Sequence, residues 1–375
     1  MNITEPFFDE DEIESVRQCL NSKWVTQGPL TAEFESQIAG RHEVSHALAT
    51  TSCTAALHLS TLALGLGPGD EVIVPAFTWI TSANCIEYVG AKAVFVEVDE
   101  ATFNIDPQRI EEAVTDNTKA IVAVHLFGLS AEMDEINRIA KKYDLKVIED
   151  AACAIGTSYK GKPVGGLGDL GCFSFHPRKV ITTGEGGMVT TNNNKYADLV
   201  NSYRNHGTTG LPKEYIDNPQ PYAMTTFNNL GFNLRLSDIQ AAVGVAQFKK
   251  LEGILSERRR LALNYSEILS GVEEIISPQD DSGHTYQSYV TRVASGDREI
   301  RNRIMENLAE KGIQTRPGTH AVHRLGYYKN KYGLKTEDFP VSAKCEDTTI
   351  TLPIFPGMTD QDQSLVVDII KKSLV

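Results

Sequence analysis

The sequence lacks the features that mark several large classes of protein. Its six cysteines lie far apart and form no CxxC pair, and its nine histidines form no HExxH motif. We therefore expect neither a disulfide scaffold nor a metal site. No apolar run approaches the ~20 residues that cross a bilayer, and the N-terminus, MNITEPFFDEDEIESV, lacks the basic-then-apolar order of a signal peptide. These absences predict a reduced, cytoplasmic protein with no membrane contact.

Positive charge is also scarce. The chain has 36 Lys and Arg against 49 Asp and Glu, a formal net charge of -13 at pH 7. This balance argues against nucleic acid or an anionic membrane as a partner of the whole surface, although a local pocket can still be positive. The apolar fraction of 41% over 375 residues suits a packed core, and the length predicts a large domain with a smaller one.

Short apolar runs alternate with helical stretches in the first two-thirds of the chain. Several runs are almost continuously apolar, which is typical of strands buried on both faces of a mainly parallel sheet. The alternation predicts a doubly wound α/β domain, with ligands at the carboxyl ends of its strands. The predicted strands are 71–76, 93–98, 120–125, 146–150, 172–176 and 187–191, and the predicted helices include 107–114 and 133–143.

The character of the sequence changes near Ser237. Ser237 and Gln240 have the spacing of a capping box, which predicts the start of a long helix that continues through Leu251. More surface charge and fewer strands follow, with a final helix over 361–374. We therefore predict a large domain over residues 1–254 and a smaller α+β domain over residues 255–375.

Two residues suggest chemistry in the first domain. Asp150 ends the apolar strand KVIED, where it is either the N-cap of the next helix or an acid that meets a cation. Lys179 follows 29 residues later in SFHPRKVITTGEGG, a loop whose glycines allow the backbone to approach a ligand closely. A lysine is usually surface decoration, but a partly desolvated lysine can attack an aldehyde.

Two further segments can be read in two ways. In TTSCTAALHLSTLALG, small hydroxyl residues precede a helix that begins near Thr54, so the segment is either an ordinary helix cap or a phosphate site. Trp79, in PAFTWITSAN, either packs in the core or stacks on a flat heterocycle. Together with Asp150 and Lys179 they supply a phosphate site, a stacking ring, an acid for a ring nitrogen and a lysine for an aldehyde. Pyridoxal phosphate requires all four.

The motifs resemble those of the DegT/StrS family of sugar aminotransferases, within the fold-type I pyridoxal-phosphate enzymes. The resemblance extends from SKWVTQGP near the N-terminus to LPIFPGMTDQD near the C-terminus. The intervening motifs are SCTAAL, DEVIVPAFTW, VEVD, TFNIDP, VHLFG, VIEDAA, SFHPRKVITTGEGG, LGFNLRLSDIQAA and HRLGYY. The resemblance implies the aminotransferase fold, a large doubly wound domain with a mainly parallel sheet and a smaller C-terminal α+β domain.

The resemblance also implies roles for the cofactor ring. Lys179 would hold pyridoxal phosphate as a Schiff base and move protons during catalysis. Asp150 would pair with the pyridinium nitrogen, and Trp79 would stack on the ring. Cys153 stands where the family usually has Gln or His, and a thiol is a weak hydrogen-bonding group. We therefore expect no polar cofactor contact from Cys153.

The phosphate and the substrates are assigned in the same way. The backbone N–H groups of Thr54 and Ala55 and the hydroxyl of Ser174 would bind the phosphate. Asn233 would reach it from a neighbouring subunit, which implies a homodimer with a composite active site. Gln27 and His323 resemble residues near the bound sugar. The remaining candidates for acidic groups, each of which could equally form a surface ion pair, are Arg178, Arg204 and Arg316.

The implied function is transfer of an amino group, from L-glutamate, to a nucleotide-linked keto-sugar such as a 4-keto-6-deoxyhexose, in amino-sugar and surface polysaccharide biosynthesis. A 3-keto sugar would require the same machinery. A pyridoxal-dependent sugar dehydratase of the same fold is the next alternative, but those relatives replace the lysine with histidine. A non-catalytic regulator would be expected to lose Lys179 or Asp150, and both are present.

Overall fold

The computed structural model describes residues 1–374. Its strands are β1 (His46–Thr50), β2 (Glu71–Pro75), β3 (Phe77–Thr78), β4 (Lys92–Val96), β5 (Thr118–Val124), β6 (Lys146–Asp150), β7 (Ser158–Tyr159), β8 (Lys162–Pro163), β9 (Leu170–Ser174), β10 (Gly187–Thr191), β11 (Thr208–Gly210), β12 (Thr226–Phe227), β13 (Ile275–Ile276), β14 (Tyr289–Val293), β15 (His320–Ala321) and β16 (Thr349–Leu352).

The α-helices are α1 (Glu10–Ser22), α2 (Pro29–Arg41), α3 (Cys53–Ala63), α4 (Thr81–Tyr88), α5 (Pro107–Glu112), α6 (Met133–Tyr143), α7 (Asn194–Tyr203), α8 (Asp238–Lys249), α9 (Leu251–Leu269), α10 (Arg298–Glu310), α11 (Gly326–Tyr332), α12 (Pro340–Thr348) and α13 (Asp360–Ser373). Within residues 1–374, none of them combines the length and the apolar character that a membrane span requires.

A seven-stranded sheet organises the first part of the chain, in the order β1-β10-β9-β6-β5-β2-β4. The pairings among β4, β2, β5, β6 and β9 are parallel, whereas β10 is antiparallel to both β9 and β1. Val72 and Val74 pack in one hydrophobic cluster and Ile73 packs in another. Strand β2 is therefore covered on both faces, as the apolar runs predict. The predicted α/β fold with a mainly parallel sheet is confirmed.

The element bounds follow the predictions with small shifts. Strands β6 and β10 and helix α6 have the predicted bounds, while β9 begins and ends two residues before the predicted strand. Strand β1 was not predicted. It lies at the edge of the sheet, next to the antiparallel β10, and its five residues, HALAT, carry little of the branched apolar character that marks a strand.

The helix predicted from Ser237 through Leu251 is two helices. The capping box is present, because the Ser237 hydroxyl accepts from the Gln240 N–H and the Gln240 side chain accepts from the Ser237 N–H. Helix α8 nevertheless ends at Lys249. The Lys250 N–H donates to the carbonyl of Gln247, a three-residue bond that tightens the last turn before α9 begins. The single long helix was therefore wrong.

A separate hydrophobic cluster lies in the last third of the chain. It includes residues from Leu261 to Ile370, and it surrounds the three-stranded sheet β13-β14-β16 with α9, α10 and α13. The predicted boundary between residues 254 and 255 falls inside α9. The division into domains over 1–254 and 255–375 stays a prediction.

A buried carboxylate fixes the strand that carries Asp150. Glu149 is 0% exposed, and its oxygens accept from the Gly165, Leu167 and Gly168 N–H groups at 2.7–2.8 Å. His125 Nε2 donates to it at 2.9 Å, since His125 Nδ1 accepts from Ala131 N–H. Burial alone raises the pKa of the Glu149 carboxyl, but these donors outweigh burial and hold its pKa below the ordinary value.

Replacing Glu149 with glutamine is expected to lower the free energy of unfolding by about 3–5 kcal/mol at pH 7, because the buried side chain loses its charge and one buried and two partly buried N–H groups lose a charged acceptor. The folded pKa lies below the unfolded value of 4.5. The carboxylate therefore contributes fully above that value, and its contribution declines as the pH falls below it. Denaturant unfolding of wild type and variant at neutral pH and at about pH 4 tests this linkage. The exposed Glu273→Gln is the control, and a difference that stays constant with pH contradicts the expectation.

Candidate active site

Asp150 lies at the carboxyl end of β6, where it is 4% exposed. Its Oδ2 accepts from the Ser82 hydroxyl at 2.6 Å, and its Oδ1 accepts from the Ala152 N–H at 3.2 Å. The Ser82 hydroxyl is in turn 3.0 Å from that of Thr78. Within residues 1–374, no basic side chain forms a salt bridge with Asp150. A carboxylate that is buried without a cation suits a cationic ligand.

Lys179 lies in the loop between β9 and β10, half-buried. Its Nζ donates to the sulfur of Cys153 at 3.1 Å. The backbone before it is a closed turn, because the Lys179 N–H donates to the His176 carbonyl at 2.8 Å. Gln287 adds a brace from the C-terminal part of the chain by donating to the Arg178 carbonyl. The amine is therefore held at one place, and its neighbour is the thiol that follows Asp150 by three residues.

Helix α3 begins beside the same groups. Burial raises the pKa of the Cys53 thiol well above its ordinary value, and the charge of Asp150 acts in the same direction. Lys179 lowers the pKa of the same thiol, and Cys153 raises it. Cys53 is therefore a neutral packing residue. Asp150, Cys153, Lys179 and the first turn of α3 share one environment.

One of the two backbone N–H groups predicted to bind the phosphate, that of Ala55, donates instead to the residue that caps helix α3. The Ser52 hydroxyl accepts from the Ala55 N–H at 3.1 Å. The Thr54 N–H belongs to the first turn, whose N–H groups have no intrahelical acceptor. Strand β10 runs close behind this turn. A Cβ on Gly187 would come within 2.4 Å of the Ser52 carbonyl carbon and 2.5 Å of the Cys53 nitrogen, so only glycine allows this approach.

Ser174 and Trp79 each lie at the end of a strand. Ser174 ends β9 and is buried. Trp79 follows β3 and is 54% exposed, so its ring does not pack in the core. The ring centroid of Trp79 is 5.6 Å from that of His320. Trp79 also lines a cavity of about 670 Å³. An exposed aromatic face at a cavity favours stacking on a ligand over packing in the core.

The predicted substrate residues have different surroundings. Gln27 is partly exposed, in a loop that Asp238 anchors by accepting from the Gly28 and Thr31 N–H groups at 2.8 and 3.0 Å. His323 is 0% exposed, and its ring packs 4.9 Å from that of Phe339. Its side chain does not line the cavity beside Trp79. Direct sugar contact by His323 therefore stays a prediction.

Arg204 and Asn233, two other predicted residues, differ clearly in their surroundings. Arg204 is buried and pairs with Glu35 at 2.6 Å and with the Ala49 carbonyl at 2.7 Å. It is a structural ion pair. Asn233 is exposed and follows a run of exposed apolar side chains. In that run Phe227 and Leu230 are 59% and 90% exposed. The role of Asn233 at the cofactor phosphate of a neighbouring subunit stays a prediction.

The chain is similar to known proteins along almost its whole length. The model of the DegT/DnrJ/EryC1/StrS aminotransferase family matches residues 6–371. GDP-perosamine synthase of Caulobacter vibrioides is 36% identical over 100% of this chain and 98% of its own. Spore coat polysaccharide biosynthesis protein SpsC of Bacillus subtilis is 36% identical over 98% of this chain and 95% of its own.

A solved structure has the same fold. The putative sugar aminotransferase Spr1654 of Streptococcus pneumoniae, in its PMP form, superposes with a TM-score of 0.94 at 29% identity, over 100% of this chain and 98% of its own. The PLP form of the same protein superposes with a TM-score of 0.92 at 28% identity, with 100% of both chains covered. The likeness covers both the sheet that carries Asp150 and the C-terminal part of the chain.

Proposed function

Because the chain belongs to the DegT/DnrJ/EryC1/StrS aminotransferase family and is therefore a pyridoxal-phosphate-dependent sugar aminotransferase, we propose that it moves the amino group of L-glutamate to the ketone of a nucleotide-linked sugar. The relative from Caulobacter vibrioides carries a GDP-linked sugar in its name, which supports a nucleotide-linked substrate. The sugar we propose is a 4-keto-6-deoxyhexose, and the product is the corresponding amino sugar for a surface polysaccharide.

The arrangement around Lys179 is the observation that carries this proposal. An amine, a buried carboxylate without a cation, an exposed aromatic ring and a helix N-terminus converge at the carboxyl ends of the parallel strands. These groups fit the aldehyde, the ring nitrogen, the ring face and the phosphate of pyridoxal phosphate. When bound, the cofactor supplies an electron sink for the carbon from which a proton leaves.

Each side chain has a separate task in the proposal. Asp150, oriented by the Ser82 hydroxyl, keeps the ring nitrogen protonated. Thr54 and Ser174 bind the phosphate, and Trp79 covers one face of the ring. The Ala55 N–H joins them only if it is shared with the Ser52 cap. Cys153 accepts a hydrogen bond from the lysine, so its part is to hold the amine rather than to replace the amide or imidazole of its relatives.

Lys179 moves the protons in both halves of the cycle. Its amine would take the proton from the α-carbon of glutamate; with the cofactor bound, the amino group would stay on the cofactor and water would supply the keto oxygen of the departing 2-oxoglutarate. It later delivers a proton to the sugar carbon that gains the amino group.

A second copy of the chain completes the site in this proposal. Asn233 would reach the phosphate of the neighbouring subunit, and the exposed apolar residues before it would be covered in a homodimer. Large exposed apolar patches of this kind are typical of subunit interfaces. The family resemblance, the exposure of Asn233 and the exposure of Leu230 support this arrangement.

The sugar is tested with a panel of keto-sugars linked to GDP, dTDP or UDP, each as the 3-keto and the 4-keto isomer. The purified holoenzyme, supplied with glutamate, is expected to form an amino sugar only from a 4-keto-6-deoxyhexose. Mass spectrometry of the nucleotide fraction detects the product, and 2-oxoglutarate release gives an independent count. Amination of a 3-keto sugar alone contradicts the proposed sugar, and no amination of any sugar contradicts the proposed function.

A further inference from the structure

A short segment from the last third of the chain, 284–288, packs against the loop that follows β5. The Thr285 N–H donates to the Gly128 carbonyl at 3.1 Å, and the Ser288 N–H donates to the Phe127 carbonyl at 3.3 Å. The packing is close, since a Cβ on Gly128 would come within 2.3 Å of the Thr285 hydroxyl. The segment is therefore fixed to the part of the chain that carries the large sheet.

Tyr286 turns the backbone sharply inside this segment. Its φ is 47°, in the left-handed region that a bulky aromatic residue rarely adopts. Two bonds hold this conformation, because the Tyr286 N–H donates to His284 Nδ1 at 3.0 Å and the Tyr286 hydroxyl donates to Asp280 at 2.9 Å. Strain of this kind persists only where the surroundings fix it, and it is frequent at functional sites. The residue that follows the turn is Gln287.

Gln287 is buried and is held at both its backbone and its side chain. The buried guanidinium of Arg258 donates to the Gln287 carbonyl at 3.1 Å. The Ser288 hydroxyl donates to Gln287 Oε1 at 3.2 Å, which directs the amide nitrogen the other way. That nitrogen donates to the Arg178 carbonyl at 2.8 Å. Gln287 therefore presents a fixed donor to the loop that carries the lysine.

The carbonyl that Gln287 binds belongs to the peptide group between Arg178 and Lys179. The N–H of the same peptide group, that of Lys179, donates to the His176 carbonyl at 2.8 Å. Because a peptide group is planar, a bond at its carbonyl and another at its N–H together fix the orientation of the plane. The bond from His176 lies within the loop, whereas the bond from Gln287 comes from a distant segment. Gln287 thus fixes the direction in which the Lys179 side chain leaves the backbone.

We propose that Gln287 is a positioning residue for proton transfer by Lys179, acting through the peptide group that precedes the lysine. The proposal rests on the proposed function, in which Lys179 moves the protons. The amine lies at the end of a long side chain, so a small tilt of the peptide plane displaces it from the reacting carbon. A misplacement of about 1 Å can slow a reaction ~10²-fold. Gln287 does not line the cavity beside Trp79, so substrate binding should depend on it little.

The first test separates rate from binding in the glutamate half-reaction. Gln287→Met keeps the length of the side chain and removes the donor. Stopped-flow absorbance of the cofactor-loaded variant is expected to show a limiting rate about 10- to 100-fold below wild type, with the half-saturating glutamate concentration changed less than about twofold. The visible absorbance of the lysine-linked cofactor should remain. Gln287→His, whose ring can donate to the same carbonyl, is expected to react at a rate between those of Gln287→Met and wild type.

The second test needs neither cofactor nor substrate. Hydrogen exchange of the cofactor-free protein, measured by mass spectrometry, is expected to be about tenfold faster at the Lys179 amide in Gln287→Met than in wild type. Gln361→Met, the same change at an exposed site on α13, is the matched control and should alter neither the rate nor the exchange. Thermal melting checks that each variant is folded.

Three results would overturn the inference: a wild-type limiting rate in Gln287→Met, a loss that falls on the half-saturating concentration instead of the rate, or no recovery in Gln287→His. If wild type itself does not react with glutamate, the proposed function fails in its amino donor. The exchange of the Lys179 amide then decides the inference alone, because faster exchange in Gln287→Met supports it and equal exchange removes it.

Discussion

Alanine in place of Lys179 is expected to abolish the visible absorbance of lysine-linked pyridoxal phosphate and to lower sugar amination by at least ~10⁴-fold. The variant loses the amine that holds the cofactor and the group that moves the proton in both half-reactions. Among the described residues, the side chain of Lys179 forms a hydrogen bond only with Cys153. The fold should therefore survive, and melting temperature should change little.

The matched control is Lys162→Ala, an exposed lysine in the same domain. It should keep the absorbance and the rate. An added alkylamine offers a second check, because a free amine can replace part of the missing proton transfer. Full absorbance and a normal rate in Lys179→Ala would show that another group carries the cofactor.

Asparagine in place of Asp150 is expected to leave the cofactor bound and to slow the glutamate half-reaction about 10²- to 10³-fold, since a preorganised charge opposite the ring nitrogen is lost. The Ala152 N–H can still donate to the carboxamide oxygen, and the Ser82 hydroxyl can accept from the carboxamide NH2 in place of donating, so the side chain keeps its place. Stopped-flow absorbance of the loaded enzyme with glutamate measures this step without the sugar.

Asp144→Asn is the control for Asp150→Asn. Asp144 caps the end of α6 with a left-handed backbone (φ 52), a conformation that asparagine also accepts. It should react at the wild-type rate. A normal half-reaction in Asp150→Asn would contradict the pairing of this acid with the ring nitrogen.

Sequence patterns predicted the central sheet because most of its strands are apolar runs that can be recognised within a few neighbouring residues. Strand β6 and the Asp150 that ends it follow from an apolar run with an acid at its end. Strand β1 did not, since HALAT is short and its pairing with β10 is between distant segments. The end of α8 at Lys249 was also missed, because a three-residue hydrogen bond leaves no pattern in the spacing of apolar residues.

Some residues of the candidate site could be predicted from the sequence, and others could not. Lys179, Asp150 and Trp79 could be named because they lie in motifs with fixed spacing. The ion pair of Arg204 with Glu35 could not be named, and neither could the lack of a hydrogen-bond partner for Arg316 Nε within residues 1–374, because each depends on segments that are far apart in the chain. All three candidate arginines look alike in sequence. Burial and the position of acids distinguish them.

The most direct test of the account is to reduce the cofactor-loaded protein with borohydride, digest it and locate the pyridoxyl group by peptide mass spectrometry. Reduction makes the link between cofactor and amine permanent, so the modified residue can be identified. The account predicts one modified site, Lys179, on the peptide that follows Arg178. A pyridoxyl group on any other lysine, or none on a protein that binds the cofactor, would contradict it.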